Sequence, residues 1–558
     1  MLSIKQPTGK SIGKEPIHMN LSKPICIAEN KNANVCIVAK EYKRAADILA
    51  KYLHKITDAV FRIQETSSVN PSIVLKSADH GTDGFAWRIF DKDIVIEAGN
   101  EQAAVYAVYD WLERVAGCRY FSRDYEYIPF DANLTVCFEE YSFTPVLEYR
   151  EILYKDFGVP EFAEKHKMAP CSKREEHWGF WCHSFYTLCP PEEYFDEHPE
   201  YFSLYEGRRV GDKAQLCLPN PDVFTIVLDN LKKHMAKKPA ARYWSVSQND
   251  NAAYCQCEKC RELNERDGSP MGSVLNFVNR IAEHFPDKVI STLAYWYTRK
   301  APAITRPASN VHIMLCNIEA NRGLPIETDV RSAGSRQELL DWKEICKNVF
   351  LWDYCIQFRN LVSPFPNLRV LGPNIRFFTE NNVRSLFSQC NREIGGEFHE
   401  LRGYLLAKLM WNPYADEREI MTDFLNGYYK QAGPLILQYI DLIHDEMEKA
   451  GGELNIFGGP LDAGDTWMRE ELFRQYESLF EQAILLTECD KDVQFRVRTA
   501  AMPVYYAGIV LEYGSPEEKF RRIAKFADQA RKTGLVMVEE WKITVDKFVT
   551  DAVASNDA

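Results

Sequence analysis

Between Glu148 and Trp411 the chain repeats one pattern, a short apolar or aromatic run followed by an amphipathic stretch, at the spacing of βα units. The runs are Tyr149 to Tyr154, Trp178 to Phe185, Gln215 to Leu218, Tyr243 to Ser247, Val289 to Trp296, Val311 to Ile318, Val349 to Tyr354 and Val383 to Ser388. Helical spacing follows at Pro221 to Met235, Ser273 to Phe285, Ser335 to Cys346 and Glu397 to Trp411. Eight such repeats predict an α/β fold, a closed (β/α)8 TIM barrel over 141–415, which presents its reactive groups at the C-terminal ends of the strands.

The flanks differ. Residues 1–24 form a polar leader, and 25–140 alternate short strands with two helical patterns, Lys40 to Ile56 and Gln102 to Val115, which predicts a small α/β domain. Residues 416–558 have helical periodicity throughout, broken at Gly451, Gly458 and Pro460, and predict a C-terminal helical domain. A net charge of -13 without a basic cluster excludes a nucleic-acid partner. Met1 to Pro24 contain no apolar run of the length a membrane span or a signal peptide requires. The expectation is a cytoplasmic chain, or an exported one if a signal peptide has been trimmed. Aromatic residues reach 13% of the chain, and flat rings are the surfaces on which sugar C–H faces stack.

The segment Arg242 to Cys260, RYWSVSQNDNAAYCQCEKC, carries the most chemistry. Its strand runs into Gln248, Asn249 and Asp250 at the end where a barrel holds its reactive groups. Glycoside cleavage needs an acid for the leaving oxygen and a second group that stabilises charge at the anomeric carbon. Asp250 is the candidate acid and Asn249 the group that orients substrate, with Glu319, after the sixth run, as a further catalytic carboxylate. His183, Trp296, Asp353 and Glu397 fall near other strand ends and are the candidate substrate contacts. Cys255, Cys257 and Cys260 follow at C-x-C-x2-C spacing, but zinc needs a fourth ligand and no second C-x2-C lies within finger spacing. No cofactor is therefore expected, and zinc at this cluster is the disfavoured alternative.

These motifs resemble known families. The segment Asp83 to Phe121 is similar to the small domain that precedes the barrel in family 20 β-hexosaminidases and in α-glucuronidases. Tyr149-Arg150, LCLPNPDVF at Leu216 to Phe224, SVSQND at Ser245 to Asp250 and Gly395 to Pro413 continue the likeness. WSVSQND with CQCEKC, WGFWCHSF and EYFDEHPEYFSL resembles glycoside hydrolase family 163, whose members are endo-β-N-acetylglucosaminidases acting on complex N-glycans. The likeness covers about residues 25 to 440.

It implies a hydrolase of β-N-acetylglucosaminide linkages in an oligosaccharide or glycoprotein glycan, using the substrate's own acetamide as nucleophile. By position it implies Asp250 as proton donor, Asn249 beside the acetamide, Arg150 on the sugar hydroxyls and Tyr354 on the acetamido group. The pair departs from the Asp-Glu of family 20, since Asn cannot ionise and Asp is one methylene shorter than Glu. The alternatives are an α-glucuronidase-like or other exo-glycosidase, and a catalytically silent glycan-binding protein.

Overall fold

The computed structural model describes residues 23–66, 71–391 and 394–556. The polar leader expected over 1–24 lies almost wholly outside the described residues. The described residues form two compact units, one of those up to 118 with 128–144, the other of 119–127 with those from 145 on.

The first unit is a mixed sheet with two helices. Its strands are β1 (Cys36–Ala39), β2 (Ile63–Gln64), β3 (Ser72–Ser77), β4 (Phe85–Phe90), β5 (Asp93–Ala98) and β6 (Tyr141–Phe143), in the order β6-β4-β5-β3-β1-β2. Asp91 takes a left-handed φ of 56° in the tight turn that pairs β4 with β5. Helices α1 (Lys43–Thr57) and α2 (Glu101–Arg114) lie side by side, with Tyr52 edge-on to Tyr109 at 5.9 Å. The Asn100 side chain accepts from the Ala103 amide and so caps α2. Glu101 accepts from the Ala45 amide in the first turn of α1.

The second unit is organised on a parallel sheet. Its strands are β7 (Tyr149–Ile152), β8 (Trp178–Phe180), β9 (Tyr243–Ser245), β10 (Val289–Ala294), β11 (Val311–Cys316), β12 (Val349–Cys355) and β13 (Val383–Cys390). They follow the order β7-β13-β12-β11-β10-β9-β8, so the first strand pairs with the last and the sheet curls towards closure. Between them run α3 (Pro221–Lys237), α4 (Glu258–Asp267), α5 (Met271–Ala282), α6 (Ala333–Ile345) and α7 (Leu368–Glu380), and α8 (His399–Trp411) follows the last strand.

The expected third strand does not join this sheet. β8 pairs directly with β9, Trp178 stacking on Tyr243 with centroids 4.8 Å apart. Gly179 permits that pairing, because a Cβ there would lie 2.3 Å from the Trp244 ring. No gap between β8 and β9 remains for Gln215 to Leu218, and Leu216 makes only an isolated antiparallel bridge to Phe202. The sheet therefore has seven strands where eight were expected.

Aromatic rings fill its interior. Trp181 packs edge-on to Phe387 at 5.0 Å, and Trp352 meets Phe387 at 4.9 Å. Glu151 is fully buried in this interior, held by Arg174 and by the Tyr149 hydroxyl. The helices that follow, α9 (Glu417–Tyr428), α10 (Gly433–Lys449), α11 (Glu470–Leu486), α12 (Lys491–Val510), α13 (Pro516–Thr533) and α14 (Val545–Asn556), belong to the same compact unit as the sheet. Among the described residues no helix is long and apolar enough to cross a membrane.

Candidate active site

The parallel strands all end at one face, where a cavity of about 450 Å³ opens. His183 follows β8, Asp250 follows β9, Tyr295 follows β10, Cys316 ends β11, Trp352 and Tyr354 lie on β12, and Gln389 is near the end of β13. A packed aromatic floor under a rim of polar side chains is how a (β/α) scaffold builds a site.

The SVSQND segment shows how the sequence delivers one carboxylate to that cavity. The Ser247 amide donates to Ser184 Oγ, and Ser247 Oγ accepts from the His183 amide at 3.0 Å, which fastens the loop after β8. Gln248 reaches the other way, its Nε2 donating to Thr298 Oγ1 at 2.7 Å and to the Tyr295 carbonyl at 3.1 Å. Asn249 is engaged at both ends: its Nδ2 donates to the Ala214 carbonyl, and its amide donates to Gln215 Oε1, each at 2.8 Å. Only Asp250 is left to project into the opening, where the Trp296 indole N–H donates to its Oδ1 at 3.2 Å.

His183 on the cavity and Trp296, the hydrogen-bond donor to Asp250, sit in strained backbone. His183 and Trp296 have φ of 51° and 55°, a region side chains other than glycine seldom adopt and one that clusters at functional sites. His183 Nδ1 lies 2.7 Å from the Gln248 carbonyl, which can only accept, so the proton sits on Nδ1 and neutral His183 carries its lone pair on Nε2. Burial pushes the Tyr354 phenol well above its ordinary value, and burial with the nearby Asp250 charge does the same for Tyr295. Both phenols are therefore neutral hydrogen-bond donors at any working pH. Trp352 donates its indole N–H to Gln389 Oε1 at 2.8 Å.

Not every residue expected at the site reaches the cavity. Successive side chains on a strand point to opposite faces. On β12 the inward positions are Trp352 and Tyr354, so Asp353 faces away and accepts from Asn317 Nδ2 at 2.8 Å. On β7 the inward residues are Tyr149 and Glu151. Arg150 is buried on the other face, donating to the Lys167 and Leu147 carbonyls with its guanidinium 5.2 Å above the Trp411 ring. Glu397 is buried in an ion pair with Arg402, one turn into α8, and burial raises its carboxyl pKa against the pull of that arginine. Glu319 pairs with Arg299 and lines, with Trp296, a second hollow of about 460 Å³. The two hollows share Tyr295, Ile318 and Phe457, so they are contiguous.

Sequence reasoning missed the far rim. Glu539, Glu540 and Lys542, from the hairpin of Met537–Glu539 with Ile543–Thr544, line the first cavity together with Arg359. Glu539 pairs with Lys542 at 3.1 Å, while Arg359 is exposed and has no ion-pair partner among the described residues. No local pattern in an exposed turn near the C-terminus announces such a placement.

A thiol group lies behind the Asp250 loop. Cys217 joins Cys255, Cys257 and Cys260, and among the described residues these four could hold a metal ion.

No curated protein matches the chain. Among solved structures, a GH138 enzyme targeting pectin rhamnogalacturonan II is similar at 9% identity, covering 94% of this chain and 98% of that one, with a TM-score of 0.44. CpGH84B is similar at 11% identity over 97% of this chain and 100% of that one, TM-score 0.48. The GH20 β-N-acetylhexosaminidase from Streptomyces coelicolor A3(2) is similar at 12% identity over 74% and 92%, TM-score 0.44. The family model described as a domain of unknown function, DUF4838, matches residues 120–441, more than half of the chain, and the protein belongs to that family.

Proposed function

We propose that the protein is a glycoside hydrolase that cleaves β-N-acetylglucosaminide linkages, acting within complex N-glycans, with Asp250 as the acid that protonates the leaving oxygen. The observation that carries this reading is the delivery of the Asp250 carboxylate to the cavity. Its neighbours in SVSQND are spent on holding the loop, and of that segment only Asp250 faces the aromatic cavity. Trp352, Tyr295 and Tyr354 supply ring faces for a sugar, and the two phenols supply O–H donors for its hydroxyls and acetamide. Two contiguous hollows suit a chain of sugars better than a single terminal residue, which favours endo action. Asn249 is engaged with protein backbone, so in this reading the acetamide is oriented by Tyr354 and Tyr295.

A second reading has its own observation. Glu539 and Glu540 line the same cavity as Asp250, so a second protein carboxylate is available there, and the unpaired Arg359 suits a sugar acid such as a glucuronide.

The test is glycan release from an intact complex-type N-glycoprotein, with mass spectrometry of the products, followed by Asp250→Asn. Loss of the acid is expected to lower kcat on the order of 10²–10⁴-fold for an ordinary glycoside. The loss should be far smaller for an activated aryl glycoside, whose leaving group needs little protonation. Equal impairment on both substrates, or none, removes Asp250 from the acid role. Release of glucuronic acid, with activity abolished by Glu539→Gln or Glu540→Gln on both leaving groups, would establish the second reading instead.

A further inference from the structure

Four cysteine sulfurs from two separate loops converge beside the Asp250 segment. Cys217 comes from the turn before Asn220, the cap of α3, Cys255 and Cys257 come from the loop that follows Asp250, and Cys260 from the first turn of α4 just beyond it. All four Sγ atoms lie within 4.8 Å of one another, and those of Cys217 and Cys257 are 3.6 Å apart. A disulfide needs sulfurs at about 2.05 Å, so no pair is joined. A zinc ion with Zn–S bonds of about 2.3 Å at the centre of a tetrahedron sets its sulfurs about 3.8 Å apart. The observed spacing is of that size, and edges this short enclose a single ion.

The surroundings suit a bound cation held by negative sulfur. The Leu204 amide donates to Cys255 Sγ at 3.3 Å and the Arg209 guanidinium lies 3.8 Å from the same atom, the kind of outer contacts that support a thiolate–metal centre. Cys257 is the N-cap of α4 and Cys260 stands in its first turn, so both sulfurs belong to a helix start, the end that favours negative charge. Three of the four sulfurs belong to residues at most 6% exposed, which shields the site from competing ligands.

We propose that Cys217, Cys255, Cys257 and Cys260 form a structural tetrathiolate zinc site that staples the loop carrying Gln215 to the loop carrying Asp250. Binding exchanges the thiol protons for the metal: four S–H bonds are lost, four Zn–S bonds form, and the protons go to solvent. The stapled loops meet at Gln215, whose Nε2 donates to the Asn249 and Asn251 carbonyls at 3.0 and 2.9 Å and whose Oε1 accepts the Asn249 amide. The ion thereby fixes the backbone on both sides of Asp250. That consequence for activity rests on the hydrolase reading above, whereas the metal site itself does not.

Elemental analysis of the full chain purified without chelators should find about one zinc per chain. Cobalt(II) loaded into the metal-depleted full chain should give the charge-transfer and tetrahedral ligand-field bands of four thiolates. Cys217→Ser should lower zinc content several-fold and weaken the charge-transfer bands. Removing zinc with a strong chelator under a thiol reductant should cut kcat on the order of 10²-fold, the scale of a catalytic group moved by about 1 Å, and added zinc should restore it. A fully active chain that carries no zinc and whose four thiols all titrate, or a mass showing disulfides among them, overturns the site. Stoichiometric zinc with tetrathiolate bands in a chain devoid of glycosidase activity supports the site and sinks the hydrolase reading alone.

Discussion

Glu397 distinguishes a substrate ligand from a structural ion pair. Its carboxylate meets the Arg402 guanidinium in the interior, where Arg402 also donates to the Phe365 carbonyl at 3.0 Å, Asn367 Oδ1 at 2.8 Å and the Tyr154 hydroxyl at 3.3 Å. No other carboxylate pairs with Arg402 among the described residues. Glu397→Gln keeps the shape but leaves a guanidinium buried without a counter-charge, a loss of about 3–5 kcal/mol for breaking one side of a buried pair. The compact unit holds about 420 residues, so its unfolding entropy near the midpoint is about 0.9 kcal/mol/K, and the melting temperature should fall by roughly 3–6 °C. Thermal melts followed by far-UV circular dichroism at neutral pH measure this directly, with KM on the same glycan assay as the companion. Replacing both partners, Glu397→Leu with Arg402→Met, should recover only part of the loss, because the acceptors now served by Arg402 are then orphaned. An unchanged melting temperature with a raised KM would refute this reasoning and return Glu397 to the substrate.

Gln215→Glu keeps the acceptor for the Asn249 amide and loses the donor to the Asn249 and Asn251 carbonyls, so kcat should fall on the order of 10²-fold with KM nearly constant, while a variant with wild-type kcat would sever Gln215 from Asp250 placement. His444 donates from Nδ1 to the Ile440 carbonyl and accepts the Leu368 amide on Nε2, a pattern only the neutral ring can make, and burial depresses its pKa to about 3. The unfolded histidine takes up a proton near pH 6.5 and the folded one does not. Stability is therefore full above about pH 6.5 and is lost as the pH falls towards the folded value, by about 1.4 kcal/mol per unit. His312, depressed by burial to about 4, adds a parallel loss. Urea midpoints from pH 7.5 to about 5 should decline less steeply in His444→Gln than in wild type, and an unaltered slope would dismiss the titration of His444.

Much of the architecture was legible because it is local. Strand runs and helical spacing come from periods of two and 3.6 residues that any window of sequence displays, and the strand end at Asp250 followed from where Tyr243 to Val246 stop alternating. The order of β8 to β13 follows from the tendency of consecutive strands to lie side by side, and β7 pairs with β13 as a closing barrel requires. What the tertiary structure decided was which face of each strand meets the cavity. The run Val349 to Tyr354 is apolar on both faces, so nothing in it says that Trp352 and Tyr354 turn inward while Asp353 turns away; the neighbouring strands fix that register. Tyr149-Arg150 has the same ambiguity, resolved when Trp411 of α8 takes the guanidinium. The failure of Gln215 to Leu218 to enter the sheet depends on Gly179 admitting the Trp244 ring, a contact between residues far apart in sequence. The fourth thiol, Cys217, lies 38 residues before Cys255, and Glu539 and Glu540 lie almost 290 residues after Asp250. Side chains brought together across such separations leave no periodicity to read, because chain distance sets only the entropy of closing the loop and not which side chains its ends present.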